Sequence, residues 1–355
     1  MPKKKTLWKR DYPCLVCETP MINYQFMTKS QTIVYDEWMV AHTSSIGEYE
    51  EYPESLKTSV CPGCLTASNE YNYGVDSLKT FTRNPRKNNQ IKEFYENCIE
   101  DRFKLLSAEF YRFEKESAVL DKNNKRPPNT RSKATFEKIW SQREQYGVPF
   151  FTFMLQEPRD LVTTMVCFAL DRYCQMVRIC YNYDVDPDNW EYNTIADALE
   201  QRFIDDPLSM KAPEPRFYYI GINYLQAIEF LNELNQTLYG DDAEKHADTL
   251  KEYWKDAYRF MKLSFDNDDL SAIPLEMKDA GLNLLMARMH LKFNAGEEAL
   301  KCLKFAKNYA DNRMKSISST NQQTFVNDVD AMAAEYLKKP EVDEEEGEDG
   351  DGAAE

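Results

Sequence analysis

Two cysteine pairs constrain this chain more than any other feature: Cys14-Leu15-Val16-Cys17 and Cys61-Pro62-Gly63-Cys64. Two residues between cysteines let both sulfurs of a tight turn face one ion, while N–H groups of the same turn can hydrogen-bond the thiolates. Two such turns brought together supply four sulfurs in a tetrahedron, a geometry Zn²⁺ accepts without penalty. With Cys at all four positions no coordination site stays open. The ion expected at Cys14, Cys17, Cys61 and Cys64 is therefore structural, one zinc per chain, and not catalytic. Iron in a rubredoxin-like site uses the same ligands. A redox dithiol usually has one CxxC opening a helix in a βαβ unit, and no such unit is legible here. His42 lies between the pairs and is expected to have a surface or hydrogen-bonding role, since four sulfurs fill the shell. A zinc tetrathiolate carries a formal charge of −2, and Lys3, Lys4, Lys5, Lys9 and Arg10 are close in sequence. Zinc contributes ~10–16 kcal/mol apparent in small modules of this kind, so residues 6–76 are expected to depend on it.

The remaining cysteines, Cys98, Cys167, Cys174, Cys180 and Cys302, sit in helical patterns, where free Cys packs as a small hydrophobe. Nine cysteines, an odd number, fit a reducing compartment better than a disulfide framework, which points to a cytoplasmic protein. The opening MPKKKTLWKRDYPC has a basic cluster without the apolar region of a secretory signal. The most apolar stretch, 161–179, is interrupted by Asp171, Arg172 and Arg178; it reads as a buried helix of a soluble protein, not a membrane span.

Length alone suggests about two or three domains, and the scarcity of glycine, 11 residues, suits helices. Tyr24, Phe26, Thr32 and Val34 alternate with polar residues as in short half-buried strands, and Val60 enters the second pair from a similar run. From about Asn89 the period changes. Ile91, Phe94, Tyr95, Cys98, Phe103, Leu106, Phe110 and Phe113 approximate one helical face. A basic loop, 121–133, contains Pro127-Pro128 and cannot continue a helix. Helices are then expected over 134–146, from Pro158 to about 183, near 194–203, and over 217–239, 243–265, 275–293, 297–310 and 322–338. The short polar connections among the later ones imply antiparallel neighbours. The division is thus residues 1–80, a zinc-ribbon-like β module; 81–133, a helix and basic loop; 134–340, a helical domain; and 341–355, an acidic tail too poor in apolar groups to order. The fold class is mainly α.

The order CxxC, strand-rich insert, Tyr52-Pro53, Val60-Cys61-Pro62-Gly63-Cys64 and Ala67 resembles the uncharacterised bacterial proteins grouped as domain of unknown function 2225. The resemblance covers residues 12–76 and is architectural beyond. It implies a zinc-ribbon-like N-terminus followed by a tetratricopeptide-like helical C-terminus, and no activity. The family often has Gly right after each CxxC, a position that favours positive φ; this chain has Glu18 and Leu65.

Residues 283–309 resemble one tetratricopeptide repeat. Ala287, Ala299 and Ala306 fall where two helices must cross closely, Leu303 at the bulky position and Gly296 in the turn. Stacked repeats expose a concave face that holds peptides or partner helices. There is no HExxH, GxSxG, P-loop or dinucleotide fingerprint, and His42, His246 and His290 are far apart in sequence, with His246 expected at a solvated helix start. Asp184, Asp186 and Asp188 lack the Gly and final Glu of a calcium loop. No catalytic residue is identified, and the expected role is that of a zinc-stabilised scaffold that binds a protein partner.

Charge bears on the alternative, nucleic-acid binding. The formal net charge is −16; residues 1–140 carry 22 Lys and Arg against 19 Asp and Glu, residues 141–340 carry 22 against 32, and the last fifteen residues none against nine. An acidic body repels nucleic acid and anionic membranes. Any such contact falls to the N-terminal part, where Arg83, Arg86, Lys87, Lys122, Lys125, Arg126, Arg131 and Lys133 lie near Tyr71, Tyr73 and Phe81.

Overall fold

The computed structural model describes residues 7–26, 31–38, 41–45, 58–68, 85–123, 133–142, 145, 160–182, 197, 201, 216–240, 243–266, 278–314 and 319–337. The fold is mainly α with a small β module at its N-terminus. The chain divides into two compact units, Met1–Lys278 and Asp279–Glu355. The cysteine module lies in the first unit together with the helices up to residue 266, and the boundary falls inside the span 134–340.

Among the described residues the β module has three antiparallel pairs. β1 (Leu7–Pro13) pairs with β2 (Pro20–Phe26), from Leu7 opposite Phe26 to Pro13 opposite Pro20. β3 (Gln31–Tyr35) pairs with β4 (Ala41–Ser45), and β5 (Ser59–Val60) with β6 (Ala67–Ser68). The alternating residues Tyr24, Phe26, Thr32 and Val34, and Val60 ahead of the second cysteine pair, all lie in these strands. The first and third pairs are hairpins whose turns are the two CxxC segments.

The periodic face that begins near Asn89 is carried by three helices: α1 (Pro85–Asn97), α2 (Ile99–Arg112) and α3 (Glu114–Asn123). Ile91, Phe94, Tyr95, Phe103, Leu106, Phe110 and Phe113 are buried, and Cys98 is half-buried at the first break. The breaks are local: Cys98 (φ −107°, ψ 33°) and Phe113 (φ −114°, ψ 29°) leave helical geometry while the buried face continues across them. In α4 (Lys133–Ser141), Trp140 stacks on Phe103 at 4.2 Å and donates its indole N–H to Glu100 at 2.6 Å.

α5 (Leu161–Asn182) is the centre of the first unit, buried from Val162 to Cys180 and packed by α1, α2, β5, β6 and α6 (Arg216–Tyr239). It begins at Leu161 and not at Pro158, because Asp160 caps it: Asp160 Oδ1 accepts the Thr163 N–H at 2.8 Å. The charges that interrupt its apolar run are accommodated inside. Asp171 accepts hydrogen bonds from Gln175 at 3.0 Å and Asn223 at 2.5 Å, and the Arg172 guanidinium lies 4.1 Å from the centre of the Tyr224 ring. Among the described residues no helix is long and apolar enough to cross a membrane. α6 ends at Gly240 (φ 57°), the left-handed closure glycine makes easily. A 3₁₀ turn (Ala243–His246) leads into α7 (Ala247–Asp266), which packs on α6.

The second unit holds α8 (Lys278–Lys292, its first residue at the boundary), α9 (Gly296–Arg313) and α10 (Thr320–Tyr336). Asn294 (φ 59°) turns the chain between α8 and α9, and the Ser319 hydroxyl caps α10 by accepting the Gln322 N–H at 3.2 Å. Arg288 pairs with Asp328 at 2.8 Å and Lys307 with Asp330 at 3.1 Å, and Tyr309 meets Phe325 edge-on. Ala287, Ala299, Leu303 and Ala306 are all buried.

Of the expected short helix near 194–203, only Asp197 and Gln201 are described, both helical. The segments 124–132, 146–159, 183–196 and 341–355 lie outside the described residues, as do Lys3, Lys4, Lys5, Tyr52, Pro53, Tyr71, Tyr73, Phe81 and Arg83.

Candidate metal centre

Each CxxC turn closes by the same hydrogen bonds. In the first, Cys14 N–H donates to Thr19 O at 3.0 Å, Glu18 N–H to Cys14 O at 3.1 Å, and Val16 N–H to Cys14 Sγ at 3.4 Å. In the second, Cys61 N–H donates to Thr66 O at 2.9 Å, Leu65 N–H to Cys61 O at 2.9 Å, and Gly63 N–H to Cys61 Sγ at 3.4 Å. Glu18 and Leu65 share a φ of 59°, the left-handed conformation that glycine adopts most easily. A threonine follows each: Thr19 Oγ1 lies 3.2 Å from Cys17 Sγ, and Thr66 Oγ1 lies 2.9 Å from Cys64 Sγ. Once these sulfurs are thiolates, both hydroxyls donate to them.

The turns meet crosswise. Cys14 Sγ is 3.6 Å from Cys64 Sγ and Cys17 Sγ is 3.5 Å from Cys61 Sγ, and all four sulfurs lie within 4.8 Å of one another. Four sulfurs at a Zn–S distance of 2.3 Å sit about 3.8 Å apart in a tetrahedron, so the donor set fits such an ion with little adjustment. Cys14, Cys61 and Cys64 are buried, and Cys17 is exposed. The approach is close enough to dictate Gly63: a Cβ there would lie 2.4 Å from Thr19 Oγ1 and 3.2 Å from Cys17 Sγ.

Crowding governs the protons of the metal-free cluster. A hydrogen bond with Cys17 pushes the Cys14 thiol up and one with Cys14 pushes Cys61 up, while hydrogen bonds to Cys14 hold Cys17 and Cys64 below the ordinary thiol value. Four thiolates in contact repel strongly, and a bound dication relieves that repulsion.

A buried cation stands behind the second turn. Arg102 on α2 is fully buried, donates from Nε to the Cys64 carbonyl at 2.8 Å, and hydrogen-bonds the Tyr95 carbonyl through a second nitrogen. Its guanidinium lies 5.2 Å from the centre of the Tyr95 ring. These hydrogen bonds go to carbonyls, not to a carboxylate, so its charge is available to offset the −2 of a metal tetrathiolate. Arg102 escaped the sequence reading, which looked to the lysines nearest in sequence; Lys9 and Arg10 fall in β1. The usable signal was an arginine three residues beyond Ile99 and four before Leu106, inside an apolar stripe.

Helix α5 completes the seat. The Ala67 N–H donates to Cys174 Sγ at 3.3 Å, and the Cys174 carbonyl accepts the Tyr95 hydroxyl at 2.7 Å. Burial pushes the Cys174 thiol up to about 12, so it stays protonated at neutral pH and behaves as a core residue. Cys167, Cys180 and Cys302 are likewise buried.

Among the described residues the cluster contains cysteines alone. His42 is in β4 opposite Val34. His246, expected at a solvated helix start, is instead half-buried, with Nε2 3.2 Å from the buried Glu116 carboxylate, which also accepts the Tyr239 hydroxyl. His290 is buried in α8. Of the basic residues considered for nucleic acid, Arg86, Lys87 and Lys122 have described side chains, on α1 and α3.

The arrangement is a four-cysteine cluster, carried on two hairpin turns, that could hold a metal ion. Comparison with family models, with curated proteins and with solved structures returned no match.

Proposed function

We propose that Cys14, Cys17, Cys61 and Cys64 hold one structural Zn²⁺, and that the protein is a non-enzymatic scaffold whose helical regions engage a protein partner. The observation that carries the reading is the four-sulfur cluster, at most 4.8 Å across, with three of its cysteines buried. Bound there, the ion supplies a cross-link between two turns 43 residues apart in sequence. The chain's own groups do the rest. The Val16 and Gly63 amides and the Thr19 and Thr66 hydroxyls orient the sulfurs, and Arg102 offsets their charge.

The partner half rests on the likeness of residues 283–309 to a tetratricopeptide repeat, with small residues buried where its helices would cross, and on the lack of a catalytic motif. That is an argument from architecture. Membership of the bacterial family named above belongs to the same proposal, supported by the left-handed residue after each CxxC. A cytoplasmic location belongs to it as well, supported by nine cysteines with no disulfide among them.

Elemental analysis of the purified chain tests the metal: one equivalent of zinc is expected. Iron, with visible sulfur-to-metal absorption, would redirect the reading to electron transfer. Affinity capture with the full chain tests the scaffold role, which a reproducible failure to retain any protein would sink.

A further inference from the structure

The four sulfurs of the cluster are not equally reachable. Cys14, Cys61 and Cys64 are buried, while Cys17 is exposed. Cys167, Cys174, Cys180 and Cys302 are buried elsewhere in the chain, and Cys98 is half-buried. A small reagent arriving from solvent therefore meets Cys17 first. What lies behind Cys17 belongs to the other turn: its Sγ is 3.5 Å from Cys61 Sγ, just as Cys14 Sγ is 3.6 Å from Cys64 Sγ. Gly63 permits this approach, since a Cβ there would lie 3.2 Å from Cys17 Sγ. The partner sulfur is held for it by the backbone, because the Gly63 N–H donates to Cys61 Sγ at 3.4 Å.

We propose that the cluster is a peroxide-sensitive switch in which Cys17 and Cys61 join in a disulfide across the two turns, with release of the zinc. The inference rests on the zinc reading and adds the regulation of that site. Oxidation of a cysteine follows the access of the oxidant to its sulfur. The Cys17 thiolate attacks the outer oxygen of a hydroperoxide: an S–O bond forms, the O–O bond breaks, and the alkoxide or hydroxide leaves and takes a proton from water. The Cys61 thiolate then attacks the Cys17 sulfur of this sulfenic acid. The S–S bond forms, the S–O bond breaks, and the departing hydroxide takes a second proton. Two thiolates lose two electrons in all, the peroxide gains them, and two of the four metal ligands are gone. The crosswise bond keeps joined two turns that stand 43 residues apart, whereas a bond within either CxxC would leave them separate. Two molecules of a small thiol reverse the step: the first attacks the exposed Cys17 sulfur and expels Cys61, and the second frees Cys17 as the small disulfide leaves. A reversible bond of this kind suits a reducing compartment, where protein disulfides are transient.

Disulfide mapping reads the switch directly. The zinc-loaded full chain is treated with hydrogen peroxide while a zinc indicator follows release of the metal, and the remaining thiols are then alkylated and the peptides analysed by mass spectrometry. Two thiols lost per zinc released are expected, with a Cys17–Cys61 linked peptide as the main product, and dithiothreitol should restore both thiols and the zinc binding. The Cys17→Ser chain, kept in excess zinc, should lose thiols to peroxide about tenfold more slowly than the parent. If that variant holds no zinc, the disulfide map of the parent chain decides alone. A main link within either CxxC, oxidation confined to Cys98, or an unchanged rate in Cys17→Ser would overturn the inference. A chain that carries no metal yet forms the Cys17–Cys61 link removes the zinc reading and leaves the pairing standing; a zinc-loaded chain that keeps its metal and its thiols under peroxide does the reverse.

Discussion

The two cysteine turns have the same backbone and opposite surroundings. Both place a residue at φ 59° and both close by the same amide bonds. The first caps a seven-residue hairpin and carries the exposed ligand Cys17. The second caps a hairpin of two-residue strands, too short to stand alone, and is buried from Thr58 through Ser68 except at the half-buried Gly63. Its strands lean on α5 and its last cysteine offers its carbonyl to Arg102. Local sequence therefore sets the shape of a turn, while among the described residues the second turn also gains contacts from the helices.

Ligand removal should separate the turns most widely. Cys61→Ser removes a buried thiolate next to the helices, and loss of the metal forfeits on the order of 10 kcal/mol apparent. Zinc content should fall to zero and melting of residues 1–278 should drop steeply, with α8–α10 retained. Cys17→Ser removes an exposed cysteine on the longer hairpin; a weakened but measurable zinc affinity is expected, together with retained helical circular dichroism. Equal loss in both variants would show that the helices do not support the second turn.

The part of this site that could be read from sequence is the part set by neighbours in the chain. The CxxC spacing names all four cysteines that the structure brings together. The strands at Tyr24, Phe26, Thr32 and Val34 were equally plain, because alternation is a local pattern. Arg102 and the Cys174 contact were not, since each joins residues far apart in sequence, 38 positions in one case and 107 in the other. The breaks at Cys98 and Phe113 were hidden for a different reason: the buried face runs on through them, so periodicity carries no mark of the change in direction.

Arg102→Met gives the next largest effect, confined to the second turn. It keeps most of the buried volume but strips the guanidinium donors from the Cys64 and Tyr95 carbonyls, a cost of about 3 kcal/mol. It also removes a buried cation that hydrogen-bonds the Cys64 carbonyl, so zinc should be lost to a chelator sooner than from the parent chain. Calorimetry and a chelator competition measure the two effects; unchanged zinc retention would show that the arginine serves packing alone.

Gly63→Ala tests the contact between the turns. The added methyl meets Thr19 Oγ1 and Cys17 Sγ, and overpacking of this kind costs about 1–3 kcal/mol. The equivalent residue of the first turn is already the buried Val16, so Val16→Ala should cost about 1 kcal/mol through lost burial instead. If Gly63→Ala is combined with Thr19→Ser, removing the threonine methyl gives the crowded hydroxyl room to rotate, and part of the loss should return. Thermal melts of the parent, Gly63→Ala, Thr19→Ser and the double variant decide this, and strict additivity would mean that the clash is not with Thr19.

The smallest effect is the most diagnostic, because the two turns should respond with opposite signs. A left-handed conformation costs an ordinary residue about 1 kcal/mol relative to glycine. Leu65 offsets that cost by being fully buried, so Leu65→Gly relieves the strain but loses a core side chain worth about 2–5 kcal/mol, and the net change is destabilising. Glu18 is exposed. Nothing of comparable size offsets its strain, so Glu18→Gly should stabilise the zinc-loaded chain by up to about 1 kcal/mol, reduced by the extra freedom glycine gives the unfolded chain. Denaturant midpoints at constant slope measure both variants. A loss of stability in Glu18→Gly as large as in Leu65→Gly would mean that the first turn, too, relies on contacts made by the side chain after its second cysteine.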